Sequence, residues 1–98
     1  FNENRKSVEI GYSLSPKYWG KGFAYEALNI MIKNSFEIFD INRISAKTDS
    51  QNKSSIKLLE KLKFIYEGKL REFYKYKNGR KSDSNLYSLL HGDFIQNN

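Results

Sequence analysis

The chain has 98 residues, a formal net charge of +6, 39% hydrophobic and 15% aromatic side chains, and no cysteine. Its length allows one small domain, its apolar content argues against disorder, and the lack of cysteine excludes a disulfide framework and a thiolate zinc site. No apolar run approaches the ~20 residues of a membrane-spanning helix and no signal-peptide pattern opens the chain, so the cytoplasm is the expected location. The basic balance favours an anionic partner such as nucleic acid, a membrane surface or a polyphosphate cofactor, unless the lysines serve only solubility.

In chain order, residues 8–14 alternate with period two, placing Val8, Ile10, Tyr12 and Leu14 on one face of a strand that Ser15 and Pro16 end. From 22 to 39 the period lengthens. Ala24, Ala27, Leu28, Met31, Ile32, Phe36 and Phe39 recur at steps of three and four, predicting an amphipathic helix that Asp40 and Asn42 stop. Residues 43–48 form a second strand candidate with Ile44, Ala46 and Thr48 together. Asp49, Ser50 and Asn52 can each cap the next helix, from about 53 to 63, which carries Ile56, Leu59 and Leu62 on one stripe. Residues 66–76 and 82–90 read as two strands joined by a two-residue turn at Asn78-Gly79, and the tail from Gln96 to Asn98 reads as loose. The order is β-α-β-α-β-β: one α/β domain with a parallel pair and a terminal antiparallel hairpin, hence a mixed sheet.

Gly20 and Gly22 fall where the first strand hands over to the first helix. A turn without side chains exposes successive backbone N–H groups, and the helix start adds about half a positive charge, so both favour a phosphate or pyrophosphate. Lys17 and Lys21 add mobile charge. Spacing alone also suits a purely structural turn. The segment is not a P-loop, which ends Gly-Lys-Ser/Thr, nor a dinucleotide fingerprint, which needs a third glycine.

The wider context is more specific. Residues 9–14, Glu-Ile-Gly-Tyr-Ser-Leu, followed by Tyr18-Trp19-Gly20-Lys21-Gly22-Phe23-Ala24-Tyr25-Glu26-Ala27-Leu28, resemble GNAT-superfamily N-acetyltransferases, above all the branch that acetylates ribosomal-protein N-termini. Gly22 and Ala24 match the small positions of that family's Gln/Arg-x-x-Gly-x-Gly/Ala signature, with Trp19 in the place of Gln or Arg. Asn52-Lys53-Ser54-Ser55 resembles the branch's Asn-x-x-Ser helix opening, and residues 78–83 and 86–90 resemble its final hairpin. Lys63 departs from it by standing where the family usually has glycine, a change that bears on a helix C-cap.

This resemblance implies the C-terminal part of the GNAT fold, binding acetyl-CoA between splayed strands at 8–14 and 43–48. Pantetheine would pair with the backbone near Leu14 as an added strand. The pyrophosphate would sit on Trp19, Gly20, Lys21, Gly22, Phe23 and Ala24, chiefly on the N–H groups from Gly20 onward. Asn52 and Ser55 match positions reaching the thioester end, and Lys57 is a candidate contact for a CoA phosphate or a solvated helix lysine. The implied chemistry is direct attack of an amine on the thioester. An α-amine near pKa 8 is already partly neutral, whereas a lysine near 10.4 needs a substantial base. Ser55 is the candidate general acid, directly or through a water, with helix N-terminal hydrogen bonding as its structural alternative. Glu9, the carboxylate inside the first cleft strand, is the candidate base. Tyr74, Tyr76 and Tyr87 read as hairpin packing, His91 reads as a surface residue, and no metal site is supported.

The family also carries strands and one or two helices ahead of the first strand seen here. Residues 1–98 therefore read as a single partial acetyltransferase domain, part of a longer protein or one whose sheet a dimer or partner segment completes. Two rivals remain. A catalytically inactive CoA-binding fragment would keep the fold. A basic nucleic-acid module would stack bases on Tyr66, Phe73, Tyr74 and Tyr76, but its basic residues are scattered and no nucleic-acid signature accompanies them.

Overall fold

The computed structural model describes residues 7–10 and 23–97. In order these form β1 (Ser7–Ile10), α1 (Phe23–Glu37), β2 (Arg43–Asp49), α2 (Lys53–Lys61), β3 (Ile65–Lys75), β4 (Lys81–Leu90) and α3 (His91–Asn97). The sheet runs β1-β2-β4-β3, with β1 parallel to β2 and β4 antiparallel to both of its neighbours. The expected mixed α/β order is present, with a further helix at its end. Positions 11–14 of the expected first strand lie outside the described residues.

Register explains the core. Val8 and Ile10 pair with Ile44 and Ala46, which pair across β2 with Leu89 and Tyr87, so these six side chains share one face. Ile10, Ile44, Ala46, Tyr87 and Leu89 form a single buried cluster with Leu28, Ile32 and Phe36 of α1 and with Leu59 and Leu62 beside them from the α2 segment. Both helices therefore cover this face. Each fully buried aliphatic or aromatic side chain contributes roughly 1.5–3 kcal/mol. The other face carries Glu9, Ser45, Lys47 and Asp49.

Helix ends differ from the periodic expectation for reasons visible in the backbone. α1 stops at Glu37, because Asp40 takes a left-handed φ of 55° and Ile41 N–H folds back onto Ser35 O at 2.9 Å. Phe39 consequently leaves the helical stripe and is 66% exposed. α2 stops at Lys61. Lys63 takes φ 71° just past the Leu62 cap, its N–H donating to Glu60 O and Phe64 N–H donating to Leu59 O, both at 3.0 Å. These two bonds make a Schellman closure, with buried Phe64 and Leu59 as its hydrophobic contact.

The hairpin loop has three residues, not two. Gly79 N–H donates to Tyr76 O at 2.9 Å and Tyr76 N–H to Arg80 O at 2.8 Å, while Gly79 alone in the loop has positive φ, 87°. A two-residue type I′ turn would need positive φ at Asn78 as well; instead Asn78 Oδ1 accepts from Arg80 N–H at 2.9 Å.

Gln96 and Asn97, expected to be loose, belong to α3. Leu90 N–H donates to Asp93 Oδ2 at 3.0 Å, the return half of a capping box. His91 is not a plain surface residue: it is half-buried and lies flat on Phe36, ring centroids 5.2 Å apart and planes 2° from parallel. Phe94 meets the same ring at 5.1 Å. α3 thus closes the core over Phe36.

Candidate functional site

Three residues separate β2 from α2, so α2 starts at the carboxyl end of β2. α1, about 22 Å long for its 15 residues, is separated from β2 by five residues and so runs back along it. Both helix N-termini therefore face the carboxyl end of the parallel pair β1–β2. That end gathers the positive dipole ends of both helices, and it is where open α/β sheets take ligands.

At α2, Asn52 is the cap among the three residues able to serve: its Oδ1 accepts the Ser55 N–H at 3.2 Å. Asn52 and Ser55 are thus brought together. Ser55 is 1% exposed, locked into the first turn of α2. Lys57 is on the exposed side of the helix. Glu9 lies on the face opposite Ile10, and its Oε1 is 3.3 Å from Lys47 Nζ, which lies 5.3 Å from the Phe73 ring centroid. Leu14, Trp19, Gly20, Lys21 and Gly22 lie outside the described residues. Phe23 and Ala24 open α1.

A cluster absent from the sequence reading stands beside Asn52. Asp49, the last residue of β2, accepts from the Tyr76 hydroxyl, from Ser82 Oγ, and from Gln51 N–H at 2.9 Å; Arg80 Nη2 is 3.6 Å away. Burial pushes the Asp49 carboxyl up, but the hydrogen bonds from Ser82, Tyr76 and Gln51 and the Arg80 charge outweigh it and hold the carboxyl below its ordinary value. Hydrogen bonding to that carboxylate raises the Tyr76 phenol. Arg80 also stacks on the Tyr76 ring, 4.2 Å from its centroid. Tyr76 and Ser82 lie 27 and 33 residues from Asp49 along the chain, so no local spacing marks this cluster. The other tyrosines pack as expected: Tyr87 is buried in the core, and Tyr74 sits edge-to-face against Phe73 at 88°.

A second cluster marks the opposite end of β2. Arg43 holds Glu67 with both guanidinium nitrogens, at 2.7 and 3.3 Å, and Ser88 Oγ donates to the same carboxylate at 2.6 Å. Hydrogen bonds from Arg43 and then Ser88 bring the Glu67 carboxyl down to about 2.

Sheet order, crossovers and paired helix starts define a class: an α/β domain that presents two helix N-termini at the carboxyl ends of a parallel strand pair. A family model described as the acetyltransferase (GNAT) domain matches residues 1–65, and the chain belongs to that family. It is 46% identical over 87 residues to an uncharacterized N-acetyltransferase, p20, of Bacillus licheniformis, a match covering 89% of this chain and 48% of that protein. Among solved structures it is similar to a ribosomal-protein-S5-alanine acetyltransferase of Vibrio fischeri, with TM-score 0.80 and 32% identity over 95% of this chain and 50% of that one. It is likewise similar to the spermidine/spermine N-acetyltransferase SpeG of Vibrio cholerae, with TM-score 0.81 and 28% identity over 98% of this chain and 56% of that one. The chain spans about half the length of the relatives it matches. No helix among the described residues is long and apolar enough to cross a membrane.

Proposed function

We propose that this chain is the acetyl-CoA-binding, C-terminal half of an N-acetyltransferase domain that acts in the cytoplasm on a primary amine, either a protein N-terminal α-amine or a small amine. The observation that carries this reading is the capped start of α2, Asn52 with Ser55, at the carboxyl end of β2 beside parallel β1, in a chain of this family. Bound acetyl-CoA supplies the thioester whose acetyl group is transferred. Asn52 would reach it through its amide nitrogen, whose donors the cap does not use. Trp19 to Ala24 would seat the pyrophosphate, with Leu14 backbone on pantetheine and Lys57, already solvated, within reach of a phosphate. Ser55, being buried, would pass a proton to the departing thiolate through a held water. Glu9 would take one from the amine once the Lys47 contact, exposed and loosely held, gives way.

Calorimetric titration with CoA tests the reading. Binding that Gly22→Trp weakens supports it; no binding by the wild-type chain refutes it. Turnover of acetyl-CoA with a panel of α-amines and polyamines then reports the acceptor. A second reading, a fragment that binds CoA without turning it over, draws on the half-length match to relatives. Among the described residues β1 is a sheet edge, so a dimer or a preceding segment would complete the sheet.

A further inference from the structure

We propose that Asp49 is a positioning residue for this site, tying the β3–β4 hairpin to the turn that sets Asn52 and Ser55. The proposal rests on the cofactor reading above only for what it says about CoA; the mechanical link stands by itself.

Asp49 acts through both of its polar ends. Its carbonyl accepts the Asn52 N–H at 2.8 Å, and its carboxylate accepts the Gln51 N–H at 2.9 Å, so one residue fixes two amides of the three-residue turn. The N–H of Ser50, the first residue of that turn, donates to Asp83 O of β4 at 2.9 Å. The carboxylate reaches across the sheet to Tyr76, at the end of β3, and to Ser82 in β4, with Arg80 from the loop end alongside. The Asp83 carboxylate in turn accepts from Glu72 N–H at 2.8 Å, at the bulge where Glu72 takes φ 49°. Turn, bulge and hairpin base are therefore one hydrogen-bonded unit. Asp49 is 14% exposed at its side chain, dry enough for these bonds to hold geometry.

The consequence is that contact with the hairpin tip is felt at the start of α2. An acceptor lying against Tyr76 or Arg80, which are exposed, would be sensed at Asn52 and Ser55 without touching either. Asp49 itself has no room for a substrate amine, since its oxygens are already engaged by Tyr76, Ser82 and Gln51.

Residue-resolved hydrogen exchange and CoA calorimetry on the same variants decide it. Asp49→Ala should speed exchange at the Gln51, Asn52 and Ser55 amides by about tenfold beyond any global change, and weaken CoA by roughly five- to tenfold. Tyr76→Phe and Ser82→Ala, which each remove one donor, should shift both readouts the same way by about two- to threefold, and they serve if Asp49→Ala does not fold. Glu67→Gln, which opens the donor-rich cluster at the far end of β2, is the control: it should lower thermal stability while leaving those three amides and CoA affinity as in wild type. Folded Asp49 variants with unchanged exchange at these amides overturn the proposal. So does an equal loss of CoA affinity in Glu67→Gln. If the wild-type chain binds no CoA, the cofactor reading falls, and the exchange measurement still decides the role of Asp49.

Discussion

Replacing Lys63 by glycine should stabilise the protein, against the usual direction of point mutations. Lys63 is the residue after the Leu62 cap and holds φ 71°, where a Cβ crowds the backbone at a cost of about 1–2 kcal/mol. Glycine removes that cost but has a more disordered unfolded state, which returns about 0.4–1 kcal/mol. The side chain is exposed, and the two closing bonds, Lys63 N–H to Glu60 O and Phe64 N–H to Leu59 O, involve backbone alone, so nothing else is lost. A net gain of about 0.5–1 kcal/mol remains, which for a domain of this size raises Tm by roughly 2–8 °C. Far-UV circular dichroism melts of wild type, Lys63→Gly and Lys63→Ala read it. Alanine keeps the Cβ and should show no such gain. A Lys63→Gly protein that melts at or below the wild-type temperature would falsify the claim that this C-cap is strained.

Three further outcomes follow from the packing and charge. Phe36 lies beneath both His91 and Phe94, so Phe36→Ala should cost about 3–5 kcal/mol and loosen α3 first, read as early proteolysis after Leu90. Asn52→Ala removes the acceptor for Ser55 N–H and should cost about 1 kcal/mol in a chemical denaturation curve, whereas Asn52→Asp, which keeps the acceptor, should cost little. Glu67 has a folded pKa depressed to about 2 from an ordinary 4.5, so its stabilisation is present above pH 4.5 and fades as pH falls toward 2. Its side chain is 36% exposed, and solvent screening reduces the contribution to about 1 kcal/mol. Glu67→Gln should lose that amount at neutral pH and show a flatter acid limb; an acid limb identical to wild type refutes the pairing.

Local signals carried much of the fold. Alternation at Ile44, Ala46 and Thr48 and the three-four spacing of Leu28, Ile32 and Phe36 are statements about which side of an element meets the core, and the core obeyed them. Asn52 three residues before Ser55 is likewise a local capping geometry, and the chain's membership of the acetyltransferase family is legible in the residues around Gly20 and Gly22. Lys63 in a glycine's place pointed to the C-cap where the left-handed turn is found.

What the sequence could not convey depends on contacts between distant positions. α3 is short and contains Gly92, so nothing intrinsic announces a helix; it forms because Phe36 of α1 offers a ring for His91 and Phe94. The loop at Asn78-Gly79 gained a third residue because a single left-handed glycine closes it. Asp49 meets Tyr76 and Ser82 across separations of 27 and 33 residues, and Glu67 meets Arg43 across 24. A periodic pattern says which side of a strand is dry, since burial repeats with the backbone. It cannot say which polar side chains will meet on the other side, because that choice is made only when strand register brings them to bonding distance.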